Sequence, residues 1–237
     1  DAVKLQTYTA DTITIDHDGP GFVVESGEWK GWRLYDLYEE AHTPWEWHPR
    51  LFERAAELGL HVFSSPFDDS AVDFLETLDP PAYKIASFEI VDHGLIERVA
   101  RTDKPIIVST GMAADGEITE AVDIARKSVG GLILLHCVSG YPTPAWEANL
   151  RTIDDMVRRF GAPTGLSDHT LGTAVTVAAI AAGACVIEKH ITLKRADGGP
   201  DASFSLEPDE FSRMCEESRA AWEALGAVNY ERTVSEA

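Results

Sequence analysis

Leu132-Ile133-Leu134-Leu135-His136-Cys137 is a short, mostly apolar run that turns polar at its end, in Val138-Ser139-Gly140-Tyr141. A run of this length, bounded by turn residues, reads as a strand buried on both faces, the kind a parallel sheet uses. Working outward, six more such runs occupy residues 2–7, 61–65, 82–87, 105–110, 164–169 and 185–192. Longer amphipathic stretches fill the intervals, so the pattern predicts parallel strands linked by crossover helices.

Seven strand and helix units are one short of a closed (β/α)₈ TIM barrel, and the sequence opens inside a strand without a methionine. The expectation is therefore a single domain over residues 1–237, a TIM barrel lacking its first strand and helix. An open doubly wound sheet is the alternative, but the Gly-rich turn usual after its first strand is absent. No internal repeat, low-complexity tract or Pro/Gly/Ser linker divides the 237 residues.

Forty acidic residues against twenty basic ones give a formal charge of −20. A phosphate backbone would be repelled, which argues against a nucleic-acid partner. No apolar run approaches the roughly 18 residues that would cross a bilayer, and the N-terminus carries no signal-peptide pattern. A cytoplasmic protein is expected. Cys137, Cys185 and Cys215 are widely spaced and form no CxxC, so they read as buried, reduced thiols in ordinary packing.

Thr43-Pro44-Trp45-Glu46 predicts a helix start with a capping box, Gly59 its stop, and Pro49 a bend in its opening turns. The last helix should run from Pro208 to Gly226, with Phe211, Met214, Cys215, Ser218, Trp222 and Leu225 as a core stripe. Residues 9–33, with Gly19, Gly21, Gly27 and Gly31, read as a lid loop or a small hairpin. His42, His48 and His93 read as surface or capping residues.

Barrel enzymes place their chemistry at the C-terminal ends of strands, and here these ends carry lysines, hydroxyls and histidines. Alternation puts Glu188 and His190 on one face of their strand and Ser167 and His169 on one face of theirs, whereas Lys189 points away, toward a salt bridge with a helix. Two neutral imidazoles at neighbouring strand tips, with Asp168 and Glu188 beside them, can hold a divalent metal and leave positions for water and substrate. Lys4 and Lys84 lie within strands, where an ammonium is costly unless a bound anion neutralises it. Ser65, Ser87, Ser109 and Ser139 could hydrogen-bond the oxygens of a phosphorylated or carboxylated ligand.

Tyr83-Lys84-Ile85-Ala86-Ser87, Ser109-Thr110-Gly111-Met112, Tyr141-Pro142, Gly165-Leu166-Ser167-Asp168-His169-Thr170 and Glu188-Lys189-His190 resemble the successive signatures of the sialic acid synthase family. The strings Trp45-Glu46-Trp47, Phe63-Ser64-Ser65-Pro66-Phe67-Asp68, Lys84 through Glu89, and Arg195 through Asp201 are most similar to its pseudaminic acid branch. The resemblance implies condensation of phosphoenolpyruvate with an N-acetylated amino sugar, in that branch 2,4-diacetamido-2,4,6-trideoxy-altrose, giving a nonulosonic acid and phosphate.

It further implies a divalent ion, commonly Mn²⁺ with Mg²⁺ or Co²⁺ as alternatives, on His169 and His190. Phosphoenolpyruvate would be bound by Lys4, Ser65, Lys84, Ser87, Ser109, Ser139 and Ser167, with Glu89 near the reacting carbons. Tyr141, Glu188 and Asp201 would lie by sugar and metal. Ser139 departs from the asparagine of the neuraminate-making relatives. Trp45 and Trp47 read as helix-packing aromatics rather than sugar platforms.

The family's first strand, with its glutamate, and its C-terminal antifreeze-like domain are not in this sequence. The family's homodimer is the implied assembly, and negligible synthase activity is expected of these 237 residues alone. Rival readings are an N-acetylneuraminate or legionaminate synthase, a non-catalytic anion-binding barrel fragment, and an aldolase using Lys84 as a Schiff base.

Overall fold

A computed structural model of the chain describes residues 1–25 and 29–236; Gly27 lies outside the described residues. Its first part comprises β1 (Ala2–Thr7), α1 (Ala10–Ile13), α2 (Leu34–Ala41), α3 (His48–Glu57), β2 (His61–Pro66) and α4 (Asp69–Glu76). β3 (Tyr83–Ile85), α5 (His93–Ala100), β4 (Ile106–Ser109), α6 (Asp115–Ala125) and β5 (Leu132–Cys137) follow. The chain then continues through α7 (Arg151–Phe160), β6 (Thr164–Asp168), α8 (Ala174–Ala181), β7 (Ile187–Lys189) and α9 (Pro208–Leu225).

All seven expected strands form, and they pair in parallel in the order of the sequence. A flat sheet of seven strands would hold its two edges roughly 30 Å apart. Instead, the ammonium of Lys4 on β1 reaches the carboxylate of Glu188 on β7 at 3.2 Å. The sheet is therefore strongly curled, with its first and last strands facing one another across the concave side.

Alternation along each strand separates two environments. Tyr83, Ile85, Ile106, Val108, Leu132 and Leu134 pack outward against Leu95, Ile96, Val99, Ala121, Val122 and Met156 of the helices. Full burial of each such side chain contributes about 1.5–3 kcal/mol. The intervening residues, among them Lys84, Ser109, Cys137, Ser167 and Glu188, turn to the concave side. Gly165 is required where β6 meets β7, since a Cβ there would stand 2.1 Å from the carbonyl oxygen of Val186.

Several expectations are corrected. The helix expected from Thr43 begins at His48, after a 3₁₀ turn over Trp45–Trp47, because Pro49 has no N–H to donate and fits only the first turn. His48 is not at the surface. It is fully buried, donates from Nδ1 to the Pro44 carbonyl, and lies 2.9 Å from the Thr7 hydroxyl, which in turn meets Ser64 Oγ at 2.6 Å. This chain ties α3 to β1 and β2.

The stripe on α9 packs only in its first half. Met214 is buried against the protein, but Trp222 is 65% and Leu225 52% exposed, so these two are not core. Cys137 alone of the three cysteines is buried; Cys185 is exposed and Cys215 intermediate. Residues 9–33 contain the short α1 and an antiparallel bridge between Val23 and Arg33. The Trp29 indole of this excursion donates to the Pro200 carbonyl at 2.7 Å. Among the described residues no helix is long and apolar enough to cross a membrane.

Candidate active site

The concave side gathers charge from three strands, β1, β3 and β7. Glu188 accepts a hydrogen bond from Ser167 Oγ at 2.8 Å and pairs with Lys4 at 3.2 Å. Burial works against its charge, but Lys4, Lys84 and the Ser167 hydroxyl outweigh it and hold the carboxyl at about 2. Lys84 is 1% exposed and donates to the Ile85 carbonyl at 2.8 Å. Burial draws its ammonium down to about 8, although Glu188 opposes the shift. One carboxylate thus lies between two lysines, and the local balance stays positive in a protein of charge −20.

The hydroxyls complete a concave anion pocket. Ser65 Oγ and Ser109 Oγ are buried without a hydrogen-bond partner, as is Glu89 Oε2. A buried polar atom left unpaired costs free energy of the order of 1–3 kcal/mol, so each of these groups can take a water or a ligand atom. Ser87 Oγ accepts from the Gly111 N–H at 3.1 Å. Gly111 is glycine for lack of room: a Cβ would fall 2.2 Å from Ser139 Oγ and 2.8 Å from Ser87 Oγ. Glu89 sits on the 3₁₀ turn after β3, where burial raises its carboxyl to about 7.

His169 and His190 follow the last paired residues of β6 and β7, and their ring centroids are 5.3 Å apart. His169 donates from Nδ1 to the Val138 carbonyl at 2.9 Å, which leaves the Nε2 lone pair for a ligand when the ring is neutral. His190 Nδ1 lies 3.4 Å from Asp201 Oδ2, so its Nε2 is left in the same way. Tyr141 packs on both rings, with centroids 4.4 Å from His169 and 6.4 Å from His190. Among the described residues no cluster of three His, Cys, Asp or Glu side chains is arranged for a metal. The donor set therefore suits an open site with two protein nitrogens, not a closed structural one.

Apart from Asp168, the predicted site residues lie on the concave side or its rim: Lys4, Ser65, Lys84, Ser87, Ser109, Ser139, Ser167 and Glu188 below, Glu89, Tyr141, His169, His190 and Asp201 above. Asp168 is the correction. It faces the opposite side of the sheet and pairs with Lys189 at 2.8 Å, so it cannot join the histidines around an ion. Lys189 likewise bonds a neighbouring strand instead of a helix. Trp45 stacks on Phe74 and donates to the Tyr8 carbonyl, a packing role, whereas Trp47 is 61% exposed.

Three residues were not anticipated. Cys137 Sγ lies 3.8 Å from His169 Nδ1 and 4.0 Å from Ser139 Oγ. Burial works to raise its thiol, yet His169, Ser87 and Ser167 hold it below the ordinary thiol range. Its position two residues before Ser139 was the available signal. Tyr8 meets Tyr38 and Phe67 edge-on at the end of β1, and Asp201 helps burial to raise its phenol. Phe204 contacts Tyr141 and His190 from a 3₁₀ turn over Ala202–Phe204 whose sequence gives no such hint.

Residues 1–230 match the NeuB family. The chain belongs to that family. The pseudaminic acid synthase of Campylobacter jejuni is 44% identical over 227 residues, which cover 95% of this chain and 66% of that protein. An N,N'-diacetyllegionaminic acid synthase of Legionella pneumophila is 35% identical over 238 residues, 96% of this chain and 65% of that protein. The solved N-acetylneuraminic acid synthetase of Leptospira borgpetersenii, in complex with citrate, superposes with a TM-score of 0.81 at 34% identity. That alignment covers 86% of this chain and 71% of the other. This NeuB chain spans just under two thirds of the length of the Campylobacter and Legionella enzymes.

Proposed function

We propose that this NeuB chain carries the active site of a pseudaminic acid synthase, which joins phosphoenolpyruvate to 2,4-diacetamido-2,4,6-trideoxy-altrose and releases phosphate. The observation that carries the reading is the pair of buried, unpartnered hydroxyls of Ser65 and Ser109 in a pocket walled by Lys4 and Lys84. A dianionic phosphoester with a carboxylate supplies the acceptors and the negative charge this pocket lacks. The closer identity to the pseudaminic than to the legionaminic enzyme favours the first sugar.

In this reading Lys4, Lys84 and Ser65, Ser87, Ser109, Ser139 and Ser167 bind the phosphoester and fix its enol carbon toward the rim. Tyr141 and Asp201 border the space left for the sugar. Glu89, half protonated near neutrality, can hold or release a proton beside the reacting carbons. His169 and His190 would hold a divalent ion, Mn²⁺ by preference, which supplies a Lewis acid for the aldehyde oxygen. Water addition and cleavage of the carbon–oxygen bond to phosphate complete the balance. The same reading takes the sheet as seven of the eight strands of a (β/α)₈ barrel, a second copy of the chain as partner, and the cytoplasm as compartment.

The test is calorimetric titration of phosphoenolpyruvate into the chain, followed by titration of the phosphoenolpyruvate-loaded chain with the altrose sugar, N-acetylmannosamine and the legionaminic precursor in competition. Saturable binding and preference for the altrose sugar are expected. No binding of phosphoenolpyruvate by a folded chain would overturn the assignment.

A further inference from the structure

Asp168 and Lys189 form a buried ion pair on the side of the sheet opposite the candidate site, with both side chains 1% exposed. They are register partners, and each immediately precedes one of the two histidines. Asp168 is fully used. Its Oδ1 accepts from the Thr170 N–H at 2.8 Å, and its Oδ2 accepts from Thr176 Oγ1 of α8 at 2.7 Å and from Lys189 Nζ at 2.8 Å. Lys189 also donates to the Thr170 carbonyl. His169 is therefore bracketed: the residue before it and the residue after it are both tied to Lys189, the residue before His190.

The placement matters because β6 and β7 stop pairing at this level, and the histidines stand just beyond the last ladder partners. Beyond this level the His169 carbonyl accepts from the Thr143 N–H and the His190 carbonyl from the Leu206 N–H, each to a different segment, so the ion pair is the direct side-chain tie between the two strand ends. A buried ion pair is a poor source of net stability, since apolar residues of similar volume commonly serve as well or better. Its use here is geometric.

We propose that Asp168 and Lys189 are positioning residues, which hold His169 and His190 at the spacing that lets both imidazoles grip one divalent ion. The inference rests on the metal reading given under Proposed function. Neither residue touches ion or substrate, because strand alternation directs them to the far face. The pair acts through the backbone of the residues it ties.

The test measures Mn²⁺ affinity, phosphoenolpyruvate affinity without metal, and thermal midpoint in the 237-residue chain. The variant Asp168→Leu/Lys189→Met removes both charges while keeping apolar volume. Mn²⁺ affinity should fall at least tenfold with phosphoenolpyruvate affinity close to wild type, while the thermal midpoint falls by several degrees because the Thr170 N–H and the Thr176 hydroxyl lose their acceptor. Thr176→Val, which removes one hydrogen bond to Asp168 and leaves the ion pair, should weaken Mn²⁺ binding by a few fold and serves where the double variant does not fold. Mn²⁺ bound as tightly as by wild type in either folded variant overturns the inference. A wild-type chain that binds no Mn²⁺ overturns the metal reading first, and this inference with it.

Discussion

Lys4, on the first strand of the sheet, and Glu188, on the last, lie 3.2 Å apart across the concave face. This contact measures the curl of the sheet and sets the charge of the pocket, because Glu188 is the carboxylate that compensates both Lys4 and Lys84. A bound anionic substrate would take over part of that role.

Glu188→Gln should therefore destabilise the free chain by about 3 kcal/mol, the lower end for breaking a buried pair, since each partner keeps about a fifth of its side chain exposed. The folded carboxyl lies well below its unfolded value, so its stabilisation is complete above about pH 4.3 and lost as pH falls toward 2. The difference between wild type and variant should shrink over that window in urea titrations. Phosphoenolpyruvate should raise the midpoint of the variant more than that of wild type; equal increments would show that Glu188 does not share its lysines with the ligand.

Lys84 offers a second test through its proton. Its ammonium is held at about 8 by burial, whereas an unfolded lysine titrates near 10.4. Between these values the unfolded chain binds more protons, so the free protein should gain stability as pH rises from about 8 to about 10. Affinity for phosphoenolpyruvate should move the other way, falling as the ammonium is lost. Lys84→Met should abolish both trends and weaken binding by roughly 10- to 100-fold, the worth of a charged hydrogen bond. A pH-independent affinity in wild type would remove Lys84 from the pocket's function.

Glu89 shifts in the opposite sense. Burial raises its folded value to about 7 against an unfolded value near 4.3, so the folded chain retains a proton that the unfolded chain has released. This contribution makes stability fall as pH rises from about 4 to about 7. Glu89→Gln should flatten that part of the profile and exceed wild type in urea midpoint at pH 8. The same variant should lose the proton uptake or release that accompanies phosphoenolpyruvate binding near pH 7, read from calorimetry in buffers of different ionisation enthalpy, so the two readouts separate its structural cost from its chemistry.

The strands were legible because each is short, apolar and closed by polar residues, a pattern set by parallel pairing itself. Strand alternation also placed Glu188 with His190 and Ser167 with His169 correctly. The same alternation contained Cys137, two residues before Ser139, and the reading of its thiol as plain packing passed over it. Helix faces were harder. Periodicity on α9 names a stripe, but only neighbouring elements decide how much of it is covered, and Trp222 is left 65% exposed. The burial of His48 is not legible because its ring meets Thr7, a partner 41 residues away that leaves no mark in local sequence. Asp168 was misassigned because proximity in sequence to His169 was weighed above the alternation that turns it away.

Gly111 gives a test of the pocket's shape independent of its charge. Its backbone carries no left-handed strain, and its N–H donates to Ser87 Oγ, so the fold around it tolerates a small side chain except for one conflict. The methyl of alanine would stand 2.2 Å from Ser139 Oγ, 2.8 Å from Ser87 Oγ and 3.1 Å from Cys137 Sγ. Both serines must rotate or retreat, and both belong to the proposed phosphoenolpyruvate cradle. Gly111→Ala should therefore lower phosphoenolpyruvate affinity at least tenfold while shifting the thermal midpoint by only a few degrees, since no buried apolar contact is lost. Gly111→Ala combined with Ser139→Ala, which removes the nearest obstruction, should recover part of that affinity. A single variant that binds phosphoenolpyruvate as wild type does would show that the ligand sits elsewhere on the concave face, away from the turn that follows β4.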